Sequence, residues 1–244
     1  MNRIGCPAMK ILFAAILYLL MSCSSAVMSQ EQVFVEKEEL NYVVSYGFIE
    51  LGEVKIKINT FSQKNGTKHI TASCDMKSYS GIPLVELDSR FESDMIYSGG
   101  VLYSKEFRAV DRKKEGIVEI RYVFEYDSGY VSVKKKFRGI TEIDKNIEFD
   151  RNLRFQDGLS LFYLSRLNSF ETKSRQIPVF MNESEATVNY YFSAVPEEVD
   201  LDEIGVEVNS IKCSGTANFV GVFGLTGEFA GWFSIDYARV PVMA

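Results

Sequence analysis

Hydrophobic side chains recur at every second residue through most of this chain, and that period belongs to the β-strand. Val54, Ile56 and Ile58 alternate with Glu53, Lys55, Lys57 and Asn59. Val118, Ile120, Tyr122, Phe124 and Tyr126 alternate with Glu119, Arg121, Val123 and Glu125. Successive side chains of a strand point to opposite faces, so each run buries one face and wets the other. Asn65-Gly66, Gly99-Gly100 and Asp127-Ser128-Gly129 separate the runs. Residues that tolerate positive φ at such breaks mark tight hairpins, and consecutive hairpins predict an antiparallel meander. Strand patterns return over 175–181, 186–194, 206–219 and 225–237. No helix–strand alternation supports a parallel sheet, and no fixed-period repeat is visible.

One segment breaks the period. Leu159, Phe162, Tyr163, Arg166 and Leu167 fall on one face at helical spacing, and Asp157 is placed to cap that helix. The expected fold is therefore all-β and mainly antiparallel. It is a strongly curved meander sheet, or a partly closed barrel or half-barrel, with one short packed helix near 158–169.

The first 29 residues read as an export signal. Arg3 and Lys10 precede the apolar run Ile11–Met21, and small residues follow. An apolar run of 11 is too short to cross a bilayer as a permanent anchor. Met9 is an alternative initiator. Leu20-Met21-Ser22-Cys23 is similar to a bacterial lipobox, in which the cysteine is acylated and holds the protein on a membrane. The competing reading is cleavage after Ala26. Either way the expected address is the periplasm of a Gram-negative bacterium, or its outer membrane through acylated Cys23, as Ser24 after the cysteine suggests. Residues 30–39 are polar and acidic and read as a tether, and 40–244 as a single β domain.

Composition removes several functions. Net charge is -6, and removing the two leader cations leaves -8, which argues against nucleic acid as a partner. His69 is the single histidine, so no catalytic triad or multi-histidine metal site is available without it. Outside the leader only Cys74 and Cys213 remain, read either as buried thiols or as one disulfide. The run 197–203 reads as a solvated acidic loop without calcium-loop spacing. Lys134-Lys135-Lys136-Phe137-Arg138 is a basic hairpin, read as a solvated face or as a contact for anionic headgroups. No catalytic residues, metal or cofactor are expected.

Three stretches are similar to a known family. Glu39-Leu40-Asn41-Tyr42 with Gly47-Phe48-Ile49-Glu50-Leu51-Gly52-Glu53-Val54 resembles the opening of the bacterial domain-of-unknown-function family 3108. Residues 157–166 resemble its helix, with Gly158 where the family commonly has proline. Residues 232–242 resemble its closing signature. The resemblance implies an exported, β-rich protein without an established activity.

Within that closing stretch Trp232, Ser234 and Asp236 would share a strand face, and Arg239 would pair with Asp236 across a bend. Trp232, Asp236 and Arg239 are the candidate ligand-binding residues. The expected function is a non-catalytic binding or carrier module for an apolar or lipid-like ligand held in the sheet's concavity. The alternative is a structural or assembly factor of the envelope acting through protein–protein contacts. A carboxylate hydrolase would require two facing inward acids.

Overall fold

A computed structural model describes residues 33–81, 86–201, 205–221 and 226–244. The leader and Cys23 lie outside them. The alternating runs form two antiparallel sheets. The first is a meander in sequence order: β1 (Glu39–Tyr46), β2 (Ile49–Lys64), β3 (Thr67–Ser78), β4 (Asp88–Ser98), β5 (Val101–Lys113), β6 (Gly116–Glu125), β7 (Tyr130–Phe137) and β8 (Ile140–Glu148). It is large and curved but not closed, because β1 and β8 stand at opposite edges. The second sheet takes β9 (Arg175–Met181), β10 (Ser184–Phe192), β11 (Glu197–Leu201), β12 (Val206–Ala217), β13 (Gly227–Ser234) and β14 (Pro241–Met243). Its order is β14-β13-β12-β10-β9, with β11 beside β12. Among the described residues no helix is long and apolar enough to cross a membrane.

The expected helix is α1 (Gly158–Asn168). It is apolar on more than one side because it lies between the two sheets. Leu159, Tyr163 and Leu167 pack on Ile56, Ile58, Ile70, Ala72 and Met95 of the first sheet. Leu161 packs with Val179, Val188 and Phe192 of the second. The segment leading into α1 is hydrogen-bonded to both sheets. The Ser104 amide of β5 donates to the Phe155 carbonyl at 2.9 Å, and the Phe180 amide of β9 donates to the Gln156 carbonyl at 2.9 Å. Phe155 and Phe180 are both fully buried in a third cluster with Tyr122, Phe124, Val131 and Val133.

The structure corrects two expectations. In place of an apolar hollow on the concave side, α1 and these aromatic residues fill the space. The tether does not run through residue 39, because Val33 and Phe34 are core residues and β1 begins at Glu39. Phe34 packs on Tyr97 and Tyr163, at 5.7 and 5.9 Å between ring centroids.

The stretch is held by charge as well. Arg166 of α1 is 0% exposed and donates to both oxygens of Glu38, at 2.6 and 2.8 Å. It also donates to the Ala238 carbonyl from Nε at 3.1 Å and Nη2 at 2.8 Å. One guanidinium thus ties α1 to the start and the end of the domain. Removing one partner of a buried pair leaves the other charge uncompensated. Glu38→Ala is expected to cost about 3 kcal/mol or more. Urea denaturation checks this, and a loss within ordinary surface values would show that the segment is a tether after all.

Candidate functional site

The outer face of the second sheet carries an open depression of about 840 Å³. Strand register assembles it row by row. Gln176, Asn189, Thr216 and Glu228 pair in turn across β9, β10, β12 and β13. Tyr191, Ser214 and Ala230 form the next row, and Lys212 and Trp232 the third. Side-chain alternation puts these residues on one face, while Tyr190, Phe192, Ile211, Cys213 and Phe233 point into the core. The first row consists of polar side chains that hydrogen-bond to no other described residue. Tyr191 is 53% exposed. Gly215 lies beneath: a Cβ there would fall 2.3 Å from the Asn189 carbonyl oxygen, so only hydrogen allows β10 to come so close.

Trp232 borders this platform and is fixed from two directions. Its indole N–H donates to the Glu197 carboxylate, and the Lys212 ammonium sits 4.9 Å from its ring centroid. Glu197 opens β11, so part of the expected acidic loop is a strand instead. The indole is thereby held in one orientation.

Asp236 and Arg239 do not join Trp232. β13 ends at Ser234, so the face shared by Trp232 and Asp236 stops before Asp236. Asp236 Oδ1 instead accepts from the Ser234 hydroxyl at 3.0 Å and from the Ala238 and Arg239 amides at 2.9 and 3.0 Å. The expected partnership therefore forms through the Arg239 backbone, which turns at φ +50°, not through its side chain. The Arg239 guanidinium stacks on Phe170 at 4.5 Å, and burial holds its pKa below the usual arginine range. This pair closes a turn.

Two cations of the basic hairpin are answered by acids. Lys134 pairs with Asp144 at 2.9 Å and Lys135 with Glu183 at 3.3 Å. Arg108, Arg121 and Lys134 are adjacent across β5, β6 and β7 beside a second depression of about 340 Å³. Glu106 takes hydrogen bonds from both arginines, and Arg121 chiefly holds its carboxyl below the usual range. His69 is exposed. Among the described residues no group of three or more His, Cys, Asp or Glu side chains converges to hold a metal. Cys74 and Cys213 are free thiols buried in different clusters, and burial pushes each to about 12.

One buried acid resembles catalytic machinery. Asp157 accepts from the Ser93 and Ser104 hydroxyls at 2.6 and 2.5 Å, and from the Leu159 and Ser160 amides at 2.8 and 2.9 Å. It is wholly buried, as are both serines, so no substrate reaches it. It caps α1, with Ser160 returning a bond to its amide, and fastens the helix to β4 and β5. Sequence reasoning finds the cap but not the serines, since nothing local brings residues 93, 104 and 157 together.

The family model described as "Protein of unknown function (DUF3108)" matches residues 41–244. No curated protein matches the chain. A solved structure, titled as a beta-barrel-like protein of domain of unknown function DUF1849 from Brucella abortus, is 11% identical, with a TM-score of 0.48. The match covers 83% of this chain and 87% of that one.

Burial pushes the Asp157 carboxyl up, against the pull of its four donors. With the folded pKa above the unfolded one, its contribution is complete below about pH 4 and is lost as pH rises through the folded value. Asn keeps one carbonyl oxygen for the two amides, and the serine hydroxyls can rotate to accept. The stability of wild type relative to Asp157→Asn is therefore expected to fall as pH rises from about 4. Urea midpoints of both proteins across that range test it, and a constant difference would refute it.

Proposed function

The chain belongs to the DUF3108 family, and we propose that it is a non-catalytic binding module of the bacterial envelope whose ligand lies on the outer face of the second sheet. One observation carries this reading: polar groups unengaged by other described residues stand in register beside Tyr191 and the fixed Trp232. Aromatic faces next to hydrogen-bonding rows suit a ligand that is hydroxyl-rich on its edges and apolar on one flat side, as a glycan chain is. The export signal supports an envelope address, and acylation of Cys23 would hold the domain on the membrane. The interior expected to take a lipid-like ligand is occupied by α1, so an acyl chain would have to bind at the surface.

The alternative, an assembly factor acting through protein contacts, is favoured by one edge. β8 exposes Glu142, Asp144 and Lys145, charges that discourage strand addition. β1 exposes the uncharged Asn41, Val43 and Ser45 along its free edge. A photo-crosslinker at Val43 in intact cells is expected to capture an envelope protein under this reading, and capture of none counts against it.

Trp232 is the chain's one tryptophan, so its fluorescence reports on the platform. Titration with chitotetraose and with lipopolysaccharide polysaccharide is expected to give a saturable change for one of them. Tyr191→Ala should weaken that binding about fivefold without lowering the melting temperature, by losing an aromatic contact of about 1 kcal/mol. An unchanged emission with both probes, or an affinity indifferent to Tyr191, would remove the platform from consideration.

A further inference from the structure

The first sheet has two unlike ends. Its strands run alternately up and down, so the β1–β2, β3–β4, β5–β6 and β7–β8 connections lie at one end and the other three at the opposite end. Register keeps three of the first set nearly level: Asp88 pairs with Lys77, Arg112 with Ile117, Val118 with Phe137 and Phe137 with Ile140. The same row passes from Lys77 through Glu53 to Val43, so the β1–β2 hairpin, paired out to Tyr46 and Ile49, reaches furthest. On this rim Phe48 is 98% exposed, Tyr46 80% and Ile140 72%, and Ile49, Tyr79 and Ile117 are exposed too. The three turns at the other end, at 65–66, 99–100 and 127–129, are built from Asn, Gly, Asp and Ser, with one exposed large apolar neighbour, Val101. Chance exposure scatters apolar residues singly, so concentration at one end calls for a partner.

Charge follows the same division. The chain is net negative, yet the β5–β6 and β7–β8 turns carry Arg112, Lys113, Lys114, Lys136 and Arg138 against Glu115. Arg112, Lys113 and Lys114 have acidic neighbours, but those pairs are exposed, so the cations remain open to a stronger anionic surface. The Arg138 guanidinium lies over Phe137 at 5.1 Å, holding charge beside an apolar tip.

We propose that this rim docks on an anionic lipid bilayer, with Phe48 and Ile140 at the acyl boundary and the basic turns among the headgroups. The exposed apolar side chains are distributed over separate connections of the sheet. A deformable interface accepts such tips, whereas a rigid protein partner needs one contiguous complementary patch. The basic turns match anionic headgroups in sign. Chain length agrees. Ten residue steps lead from Cys23 to Val33, a reach of at most about 35 Å. The eight residues of β1 span roughly 27 Å. An acyl chain on Cys23 and the rim can therefore engage the same bilayer, and stable attachment takes two such signals. The rim shares no residue with the platform on the second sheet, so either assignment can fail without the other.

The test uses the full chain and places a tryptophan at each end of the first sheet, Phe48→Trp on the rim and Val101→Trp opposite, with wild-type emission subtracted for Trp232. The probes are vesicles of phosphatidylglycerol and phosphatidylethanolamine, and vesicles of phosphatidylcholine alone. Emission from the Phe48→Trp variant is expected to shift to shorter wavelength on the anionic vesicles and to be quenched by brominated lipid, while that of Val101→Trp stays unchanged. Raising salt from about 0.1 to about 1 M should weaken the shift, since the Debye length falls from about 10 to about 3 Å. Tyr46→Ser, Phe48→Ser and Ile140→Ser together should lower vesicle affinity at least about tenfold through lost apolar burial, with unchanged circular dichroism. A leader that binds vesicles by itself would leave the rim tryptophan unshifted, or shift both introduced tryptophans alike, and either result overturns the proposal. So does a triple variant that binds vesicles normally but loses a dimer on size exclusion, which assigns the rim to a second copy.

Discussion

The two sheets are one body because residues 155–157 are hydrogen-bonded on both sides. Phe155 accepts from β5, Gln156 exchanges bonds with Pro178 and Phe180 of β9, and Asp157 caps α1 while taking two serine hydroxyls from β4 and β5. An extended segment buried between sheets would otherwise strand its backbone polar groups, each costing about 1–3 kcal/mol. Giving each sheet part of the segment's hydrogen bonding removes that cost and fixes where the helix begins. The position of α1 then decides what the concave face can hold, and so which surfaces remain for binding.

The outer face of the meander uses charge differently. Asp75, Arg90, Glu92, Arg108 and Asp94 form a chain of ion pairs between 2.9 and 3.3 Å across β3, β4 and β5. These pairs are partly exposed, so each adds little stability. Their effect is on the field that this face presents. A row of three cations across β5, β6 and β7 would attract anions, but its acidic neighbours cancel that field. Among the described residues the second sheet's platform has no such internal answer for Gln176, Asn189, Thr216 and Glu228. The two faces therefore differ in what they offer a ligand.

Much of this is readable from residue order. Period-two alternation yields the meander and its hairpins, because one buried face forces it. Asp157 and the spacing of Leu159, Tyr163 and Leu167 yield the helix and its start. The second sheet is not readable as a separate layer, since alternation shows that a strand has a wet face and not which strand lies beside it. The role of residues 33–38 is hidden because Glu36, Lys37 and Glu38 dominate the local composition. A cue exists: Arg166 sits on the apolar face of α1, and a charge there requires a buried acid. Trp232 stands out in the sequence, yet its neighbours Glu197 and Lys212 come from β11 and β12, beyond any local pattern. Asp236 and Arg239 look like a site because a carboxylate near an arginine reads alike whether it binds a ligand or closes a turn.

The filled interior also bears on whether the domain could open to carry an apolar guest. Withdrawing α1 would break the buried Arg166–Glu38 pair and free Asp157 from its serines. Breaking a buried pair costs about 3–5 kcal/mol. Leaving buried polar groups unsatisfied adds about 1–3 kcal/mol for each. An opening cost of at least about 5 kcal/mol leaves the open form at no more than roughly one molecule in several thousand. A guest would lose that factor from its intrinsic affinity before showing any net binding. A ligand on the outer platform, or a bilayer against the rim, meets no such penalty, because neither moves the helix. Charges placed to lock the core therefore leave the outer faces as the places where a ligand would meet no opening cost.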